Sequence, residues 1–471
     1  MQIKLSFLGA AQNVTGSQYL IETNNVGFLV DCGLYQEREL KRRNWGPFFI
    51  APKTLNAVLL THAHLDHSGL LPKLVREGFN GPIYCTAATS EITQIMLLDS
   101  ANLQEEDADF KRRRHEREGR KGPYPEVPLY TKDDAEAVFP LFSSVKYGET
   151  VKIGDGIEAS FYDAGHVLGS SMVKLRIRQG GEERTMLFSG DIGRWSKPIL
   201  RDPTLFDEAD YVIVESTYGD RLLESSQDAA NQLAEVINTT VRTGGNIVIP
   251  SFALERAQEI LYYLNKLLFE GRIPHLTVFV DSPMAVGITE VFEKHPELFD
   301  PEMGQLLRQK RSPFDFPGLN LVRTVEGSKA INHIVGSTII IAGSGMCTGG
   351  RIKHHLVNNI SRKESSILFV GYQAVGTLGR HIVDGAKEVR ILGQRYRVGA
   401  RVVQLDGFSA HADRDQLVRW LSSLRKPPRH IFVTHGEPNA SQHLANLVRN
   451  SRGWETVVPS YKDQVLLNAE R

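Results

Sequence analysis

Short apolar runs bounded by polar and turn-forming residues recur through roughly the first 60 positions of the chain. They read IKLSFLG, SQYLIET, VGFLVDCG and AVLLTH. Runs of this length and composition are typical of β-strands. Residues 89–118 are predicted to form a helix, and strand-like runs return between residues 150 and 219.

The pattern changes after Gly219, where apolar strands, loops containing glycine or proline, and helices alternate. NIVIPSF precedes the helical ALERAQEILYYLNKLLFEG, and STIIIAGSGMCTGG precedes RIKHHLVNNI. Near-continuous apolar strands that alternate with helices indicate βαβ units and a parallel sheet. Because the tail returns to the pattern of the first half, we predict an α/β domain at residues 220–405, inserted into a domain formed by residues 1–219 and 406–471.

The charge balance of the chain excludes few functions. Lys and Arg together number 55, as do Asp and Glu. The bulk charge therefore gives no support for nucleic-acid binding, and any such affinity must come from local patches. The basic run at residues 111–121 is interpreted as a solvated helix face rather than as a phosphate-binding patch.

The cysteines and the N-terminal residues help to predict the cellular compartment of the protein. Cys32, Cys85 and Cys347 are widely spaced and form no C-x-x-C pair, which argues against thiolate zinc and against a disulfide framework. The stretch MQIKLSFLGA does not look like a signal peptide. No run approaches the ~18 apolar residues of a membrane span. We expect a cytoplasmic protein that does not enter the membrane.

Candidate chemistry is concentrated in THAHLDHSGL, directly after the apolar run AVLL. The stretch contains His62, His64, Asp66 and His67 within one strand-end loop. Neutral imidazole and carboxylate are preferred ligands of Zn²⁺ and similar cations. The alternative is a polar loop whose histidines are neighbours by chance, but the spacing favours a metal site.

Three further residues repeat this local design downstream. His166 lies in YDAGHVLGS, Asp191 in LFSGDIG and His435 in FVTHGE, each at the end of an apolar strand and beside a glycine. Together with the first cluster they offer a bridging carboxylate and two histidine-rich half-sites. Two metal ions about 3.5–4 Å apart require such a set.

The seven residues, in their order along the chain, resemble the metallo-β-lactamase superfamily, whose fold is an αββα sandwich. The insertion, with Glu215 in VESTYG and His411 in GFSAHAD, resembles the β-CASP branch of that superfamily. That branch includes the nuclease subunit of the cleavage and polyadenylation specificity factor and ribonuclease J. The resemblance spans essentially the whole chain and implies an α/β fold with an inserted parallel-sheet domain.

The resemblance also implies a set of two zinc ions per chain with specified ligands. The first zinc would be held by His62, His64, His166 and Asp191, and the second by Asp66, His67, Asp191 and His435. Asp191 would bridge the two. Asp31 in FLVDCG matches the family's first acidic motif, which orients ligand histidines. The alternative for Asp31 is an ordinary aspartate of a strand-end turn.

The implied activity is zinc-dependent hydrolysis of phosphodiester bonds in single-stranded RNA, either endonucleolytic or from the 5′ end. Two zinc ions lower the pKa of bound water and so provide hydroxide. Asp66 would orient that hydroxide. His411 would protonate the leaving oxygen, and Glu215 would hold its imidazole.

Two glycine-rich loops of the insert are candidates for RNA binding. GSGMCTGGR (343–351) and GYQAVGTLGR (371–380) each precede a helix, whose N-terminal N–H groups attract phosphate. Tight turns of any α/β domain also need glycine. Because each loop carries an arginine, we predict that Arg351 and Arg380, together with Thr377, Ser409 and His411, contact the RNA.

Three alternatives remain open at this point. A small-molecule metallohydrolase would use the same metals, but the long insert argues against it. A DNA-processing member is disfavoured because such members tend to carry valine where this chain has His435. An interaction protein with a vestigial site is disfavoured by the intact ligand set. The sequence leaves open whether the chain forms a homodimer.

Overall fold

The computed structural model describes residues 2–23, 25–121, 126–224, 226–371, 373–374, 376–405 and 407–468. The chain forms two compact units. The first unit comprises Met1–Trp195, Asp202–Leu222 and His411–Arg471, and the second comprises Ser196–Arg201 and Leu223–Ala410. The segment Ser196–Arg201, included in the predicted first domain, belongs to the second unit. It does so because the N–H of Asp300 donates to the carbonyl of Ile199 at 2.9 Å.

The strands are numbered in chain order. They are β1 (Gln2–Phe7), β2 (Tyr19–Thr23), β3 (Val26–Val30), β4 (Ala57–Leu59), β5 (Ile83–Cys85), β6 (Phe142–Ser144), β7 (Thr150–Gly154), β8 (Ile157–Asp163), β9 (Ser171–Gln179), β10 (Glu182–Phe188), β11 (Tyr211–Glu215), β12 (Ile247–Pro250), β13 (Thr277–Asp281), β14 (Leu319–Leu321), β15 (Thr338–Ala342), β16 (Ser366–Val370), β17 (Glu388–Ile391), β18 (Gln394–Arg397), β19 (Arg401–Leu405), β20 (His430–Thr434), β21 (Thr456–Val457) and β22 (Gln464–Asn468).

The α-helices are numbered in the same way. They are α1 (Leu65–Ser68), α2 (Leu71–Arg76), α3 (Ala87–Glu118), α4 (Lys132–Glu136), α5 (Ser226–Arg242), α6 (Arg256–Phe269), α7 (Pro283–Lys294), α8 (Pro301–Arg308), α9 (Val325–Ala330), α10 (Ile352–Asn359), α11 (Leu378–Val383), α12 (Arg414–Leu421) and α13 (Pro438–Arg452). Short 3₁₀ helices lie at Lys41–Trp45, Pro52–Thr54, Phe139–Leu141, Pro296–Leu298 and Ile331–His333.

The first unit is built on two seven-stranded sheets. Their strand orders are β22-β1-β2-β3-β4-β5-β6 and β21-β20-β11-β10-β9-β8-β7. Alternation along a strand sends successive side chains to opposite faces. In β2, Tyr19 and Ile21 join a core shared with Phe161 and Phe188 of the other sheet. The predicted β-sandwich core is therefore present.

Helices cover the outer faces of both sheets. Leu20 of β2 points away from the shared core and packs in a cluster with Leu74 of α2 and Leu97 of α3. On the other sheet, Val214 and Val433 pack in a cluster with Trp420 of α12 and Leu444 of α13. The order of layers is helix, sheet, sheet, helix, which confirms the predicted αββα sandwich.

The second unit contains a six-stranded sheet in the order β14-β13-β15-β12-β16-β19. Every neighbouring pair in this sheet is parallel. The residues of β12, β15 and β16 are fully buried, as expected when both faces of a parallel sheet are covered. This confirms the predicted parallel sheet, which follows from the alternation of apolar strands with helices.

Three other predictions from the sequence concern the cysteines, a membrane span and the basic run. The three cysteines are free and buried. Among the helices of the described residues, none is both long enough and apolar enough to cross a membrane. The basic run at 111–121 lies largely on α3, where Lys111, Arg112 and Arg114 form ion pairs with acidic residues of the same helix.

Candidate metal centre

Every residue of the predicted metal cluster lies just beyond a strand of the first unit. Asp31 follows β3, the loop from His62 to His67 follows β4, and His166 follows β8. Asp191 follows β10 and His435 follows β20. Since β10, β11 and β20 run parallel, their carboxyl ends meet at one edge of the sheet. The fold thereby gathers side chains that are far apart in sequence.

Close backbone packing holds the loop that carries Asp66. The N–H of Ser17 donates to the carbonyl of Asp66 at 2.8 Å, and the N–H of Cys32 donates to that of His67 at 2.7 Å. A Cβ atom at Gly33 would lie 1.7 Å from the carbonyl oxygen of Asp66. Only glycine allows this close approach, so the glycine of the DCG turn is a requirement of the ligand loop.

One group of ligand atoms consists of three imidazole nitrogens and a carboxylate oxygen. His62 Nε2 lies 3.1 Å from His64 Nδ1, and His166 Nε2 lies 3.3 Å from the same atom. Asp191 Oδ2 lies 3.4 Å from His62 Nε2 and 3.5 Å from His166 Nε2. These four residues can present their ligand atoms to one cation.

A second group shares the Asp191 carboxylate. His67 Nε2 lies 3.0 Å from His435 Nε2, and Asp66 Oδ2 lies 3.7 Å from His435 Nε2. The other oxygen of the shared carboxylate, Asp191 Oδ1, lies 3.3 Å from His67 Nε2 and 3.6 Å from His435 Nε2. Each oxygen of Asp191 therefore faces a different group of ligands.

The spacing of these atoms fits metal coordination. Ligands at 2.0–2.1 Å from a tetrahedral ion are about 3.3 Å apart. The separations in the first group are 3.1–3.5 Å. Imidazole nitrogens that face one another leave lone pairs without enough protons to share, and a cation would satisfy them. The residues present thus fit a metal cofactor.

Neighbouring oxygens orient two of the imidazoles. His67 Nδ1 donates to Asp31 Oδ2 at 2.7 Å, which leaves Nε2 facing the cluster. Asp31 in turn accepts from the N–H of Thr61 at 2.8 Å. Thr217 Oγ1 lies 3.2 Å from His435 Nδ1. Thr61 and Thr217 lie inside the motifs THAHLDHSGL and VESTYG, but neither was among the predicted site residues.

His411 lies beside the cluster and is held by Glu215. Its Nδ1 is 3.3 Å from Glu215 Oε1 and 3.2 Å from Oε2. The backbone of His411 forms a β-bridge with Gly193, where a Cβ atom would lie 1.8 Å from the carbonyl oxygen of Gly165. Glu215 also lies close enough to Asp191 and His435 to serve as a ligand with them.

Burial and charge set the protonation of the cluster. Burial lowers the pKa of His62 well below its ordinary value and that of His64 to about 4. Burial raises the pKa of Asp66, but the neighbouring imidazoles of His435, His67 and His64 together outweigh burial and lower that pKa to about 2. Burial lowers the pKa of His411, yet the charge and hydrogen bonding of Glu215, with the charges of Asp191 and Asp66, together outweigh burial and raise it to about 9. Near neutral pH, His62 and His64 are neutral, as metal ligands must be.

The other predicted RNA contacts belong to the second unit. Arg351 Nη1 donates to Asp281 Oδ1 at 2.7 Å, and its Nη2 donates to the carbonyl of Arg323 at 2.7 Å. Arg380 Nε donates to Asp384 Oδ1 at 2.8 Å. The side chain of Thr377 caps α11, and Ser409 is buried. The predicted role of Arg351, Thr377, Arg380 and Ser409 in RNA binding stays a prediction.

Comparison with known proteins identifies the family. Residues 20–210 match the metallo-beta-lactamase superfamily domain, and residues 257–382 match the Beta-Casp domain. Residues 395–459 match the Zn-dependent metallo-hydrolase RNA specificity domain. "Ribonuclease TTHA0252" of Thermus thermophilus is 38% identical over 97% of this chain and 98% of its own length. The chain belongs to the β-CASP branch of the metallo-β-lactamase superfamily.

A second relative and a solved structure also align over almost the whole chain. "Transcription termination factor FttA" of Methanocaldococcus jannaschii is 32% identical over 98% of this chain and 71% of its own length. A crystal structure of a protein of unknown function from Enterococcus faecalis aligns over 99% of this chain and 100% of its own, with a TM-score of 0.58 and 13% identity. That likeness shows the fold alone. The matched domains and the Thermus relative make this β-CASP chain a metallo-hydrolase, and its clustered His and Asp residues fit a metal cofactor.

Loss of the Asp31 carboxylate is expected to weaken metal binding. Asp31→Ala would leave the ring of His67 without the acceptor that fixes its orientation. We expect the affinity for metal to fall about 10- to 100-fold, measured by competition with a chromophoric chelator. Asp31→Asn should give a smaller loss. Asp155→Ala, at a fully exposed carboxylate of the same unit, is the control. Equal affinity in Asp31→Ala and the control would contradict the orienting role.

Proposed function

We propose that this β-CASP protein is a zinc-dependent ribonuclease that hydrolyses phosphodiester bonds of single-stranded RNA. The observation that carries the proposal is the placement of Asp191, whose two carboxylate oxygens face two groups of imidazole nitrogens. The printed name of the Thermus relative and the RNA specificity domain at residues 395–459 support RNA as the substrate. Endonucleolytic cleavage is the more favoured mode, and cleavage from the 5′ end is the alternative.

The proposed cofactor is a pair of zinc ions. His62, His64, His166 and Asp191 would hold one ion, and Asp66, His67, Asp191 and His435 would hold the other. The set is rich in imidazole and lacks thiolate, which suits zinc in a hydrolytic site. When bound, two such ions supply a hydroxide nucleophile near neutral pH and neutralise charge on the phosphodiester.

The chain's own residues orient the reactants and move protons. Asp66 is partly exposed, unlike its buried neighbour His67, so its carboxylate can orient the attacking oxygen. His411 is also partly exposed and would protonate the leaving oxygen. Because Nδ1 of His411 faces Glu215, the proton would leave from Nε2. The carboxylate of Glu215 would hold the imidazole in place during the transfer.

The alternatives have less support. A small-molecule hydrolase needs no RNA specificity domain, whereas residues 395–459 match one. A DNA-processing enzyme is disfavoured by His435 at the last motif. A vestigial site would be expected to lose ligands, but His62, His64 and His166 all converge with Asp191. The protein is proposed to act in the cytoplasm, in keeping with its free cysteines.

Elemental analysis is the direct test of the bridging role. We expect close to two zinc equivalents per chain in the purified protein. Asp191→Ala should reduce both, because each oxygen of Asp191 faces one ligand group. Glu293→Ala, at a carboxylate of α7 outside the cluster, should keep both. Full zinc occupancy in Asp191→Ala would refute the bridging assignment.

Substrate class is tested with matched strands. We expect single-stranded RNA to be cut and DNA of the same sequence to be cut far more slowly. Strands labelled at the 5′ or the 3′ end, with and without chelator, distinguish the mode of cleavage and its dependence on metal. Equal rates on RNA and DNA would rule out the assignment of RNA as the preferred substrate.

Removal of the His411 imidazole separates proton transfer from metal binding. His411→Ala should keep its zinc but lose activity on RNA by roughly 10²- to 10⁴-fold, as for other removed general acids. An activated aryl phosphodiester leaves without needing a proton, so the mutant should hydrolyse it almost normally. Kinetics on both substrates provide the measurement.

Two comparisons sharpen this experiment. Glu215→Gln should show the same substrate dependence more mildly, because the imidazole remains but is poorly held. His435→Ala should instead weaken metal binding, since His435 Nε2 lies among the ligand atoms. Equal defects of His411→Ala on RNA and on the aryl ester would mean that His411 positions phosphate or metal and donates no proton.

A further inference from the structure

A short basic and aromatic segment lies in the first unit just beyond the loop that carries Asp31. It includes the 3₁₀ helix Lys41–Trp45 and reads RELKRRNWGPFF over residues 38–49. Trp45 is 40% exposed and Phe49 is 44% exposed. The other three tryptophans of the chain are exposed by only 2–9%. We refer to residues 38–49 as the Trp45 platform.

The backbone of the Trp45 platform is held on both sides of the exposed indole. The buried Asn44 accepts from the N–H of Tyr35 through Oδ1 at 2.9 Å and donates to the carbonyl of Tyr35 through Nδ2 at 2.8 Å. On the other side, Lys73 Nζ donates to the carbonyl of Gly46 at 2.8 Å. Trp45 is thus presented to solvent from fixed backbone, and a ligand that uses it would meet little ordering cost.

The platform carries a net positive charge, because it contains four basic residues and one acidic residue, Glu39. Arg38 and Lys41 are exposed, and neither forms an ion pair with any described residue. The acidic Glu37 beside them is engaged, because its Oε1 accepts from the N–H groups of Val14 and Thr15 at 3.1 and 3.0 Å. In the longer basic run of α3, by contrast, Lys111 pairs with Asp107. The shorter run is therefore the better anion-binding surface.

The platform is connected directly to the metal centre. Tyr35, which Asn44 binds, is four residues beyond Asp31, so the backbone between them spans at most about 14 Å. Along this path the N–H of Leu34 donates to the carbonyl of Leu65, next to Asp66, at 2.8 Å. A strand of a few nucleotides that is held at the metal centre would reach this surface.

We propose that the Trp45 platform binds the single-stranded RNA substrate outside the metal centre. Bases stack on Trp45 and Phe49, while Arg38 and Lys41 face the phosphates. Aromatic side chains interleaved with basic residues bind single strands in this way, without regard to sequence. The inference rests on the proposed ribonuclease function, because the strand in question is the substrate.

Binding is measured on the 471-residue chain, loaded with zinc and carrying His411→Ala, which limits cleavage during the experiment. The probe is a fluorescein-labelled oligouridylate of about 20 nucleotides, followed by anisotropy. Adding Trp45→Ala should weaken the affinity about 5- to 100-fold, and Trp45→Phe should restore it. Phe110→Ala, at a 62% exposed phenylalanine on α3, is the matched control and should bind normally.

Tryptophan fluorescence gives an independent signal. Since Trp45 alone among the four tryptophans is well exposed, unlabelled oligouridylate should quench it on binding. The quench should disappear in Trp45→Phe although the affinity is kept. Lys41→Gln should flatten the salt dependence of binding by about 0.7 in log–log slope, whereas the ion-paired Lys111→Gln should change it less.

Failure of the inference can be told apart from failure of the proposed function. If the protein cuts RNA but Trp45→Ala binds oligouridylate as well as Phe110→Ala does, the platform is not an RNA site and is better suited to a protein partner. A quench that persists in Trp45→Phe overturns the inference as well. If oligouridylate binds and quenches Trp45 but the protein never cuts RNA, the ribonuclease assignment is wrong. The Trp45 platform would then still be a binding site for single-stranded RNA.

Discussion

The burial of the Asp191 carboxylate among imidazole rings is the constraint on which the rest of the site depends. Its side chain is 2% exposed, and its two oxygens face His62 and His166 on one side and His67 and His435 on the other. Removing a carboxylate from water costs several kcal/mol, which a bound cation, protonated neighbours and hydrogen bonds can offset. Both sheets of the sandwich must therefore deliver histidines to one place.

The strand ends of the sandwich bring these histidines together. Polar residues just outside the cluster then hold the imidazole rings in place. Asp31 holds His67, Thr217 lies beside the outer nitrogen of His435, and Glu215 holds His411. For His67 and His435 the oxygen lies at Nδ1, so that Nε2 faces the cluster. Polar groups that act on ligands in this way govern metal affinity as strongly as some of the ligands themselves.

The glycine content of one loop in the second unit has two possible physical explanations. The glycine-rich loop at 343–351 resembles a phosphate cradle, yet a parallel sheet needs glycine at tight turns from strand to helix in any case. Arg351 ends that loop and donates to Asp281, which also lies 2.6 Å from His355 Nε2. This buried network ties α10 to the end of β13. These contacts explain the position of the Arg351 side chain without a bound ligand.

The sequence by itself predicted the parallel sheet and the seven candidate ligands, because strand periodicity and residue chemistry are local properties. The αββα layers were implied only by the resemblance to a known superfamily. The sequence could not determine that Arg351 pairs with Asp281, 70 residues away, or that Thr217 lies beside His435. Nor did the sequence suggest a role for Trp45. Its indole faces solvent because the hydrogen bond between Asn44 and Tyr35 fixes the neighbouring backbone. Such pairings join residues that are distant in the chain, and only tertiary packing decides which side chains meet and which are left facing solvent.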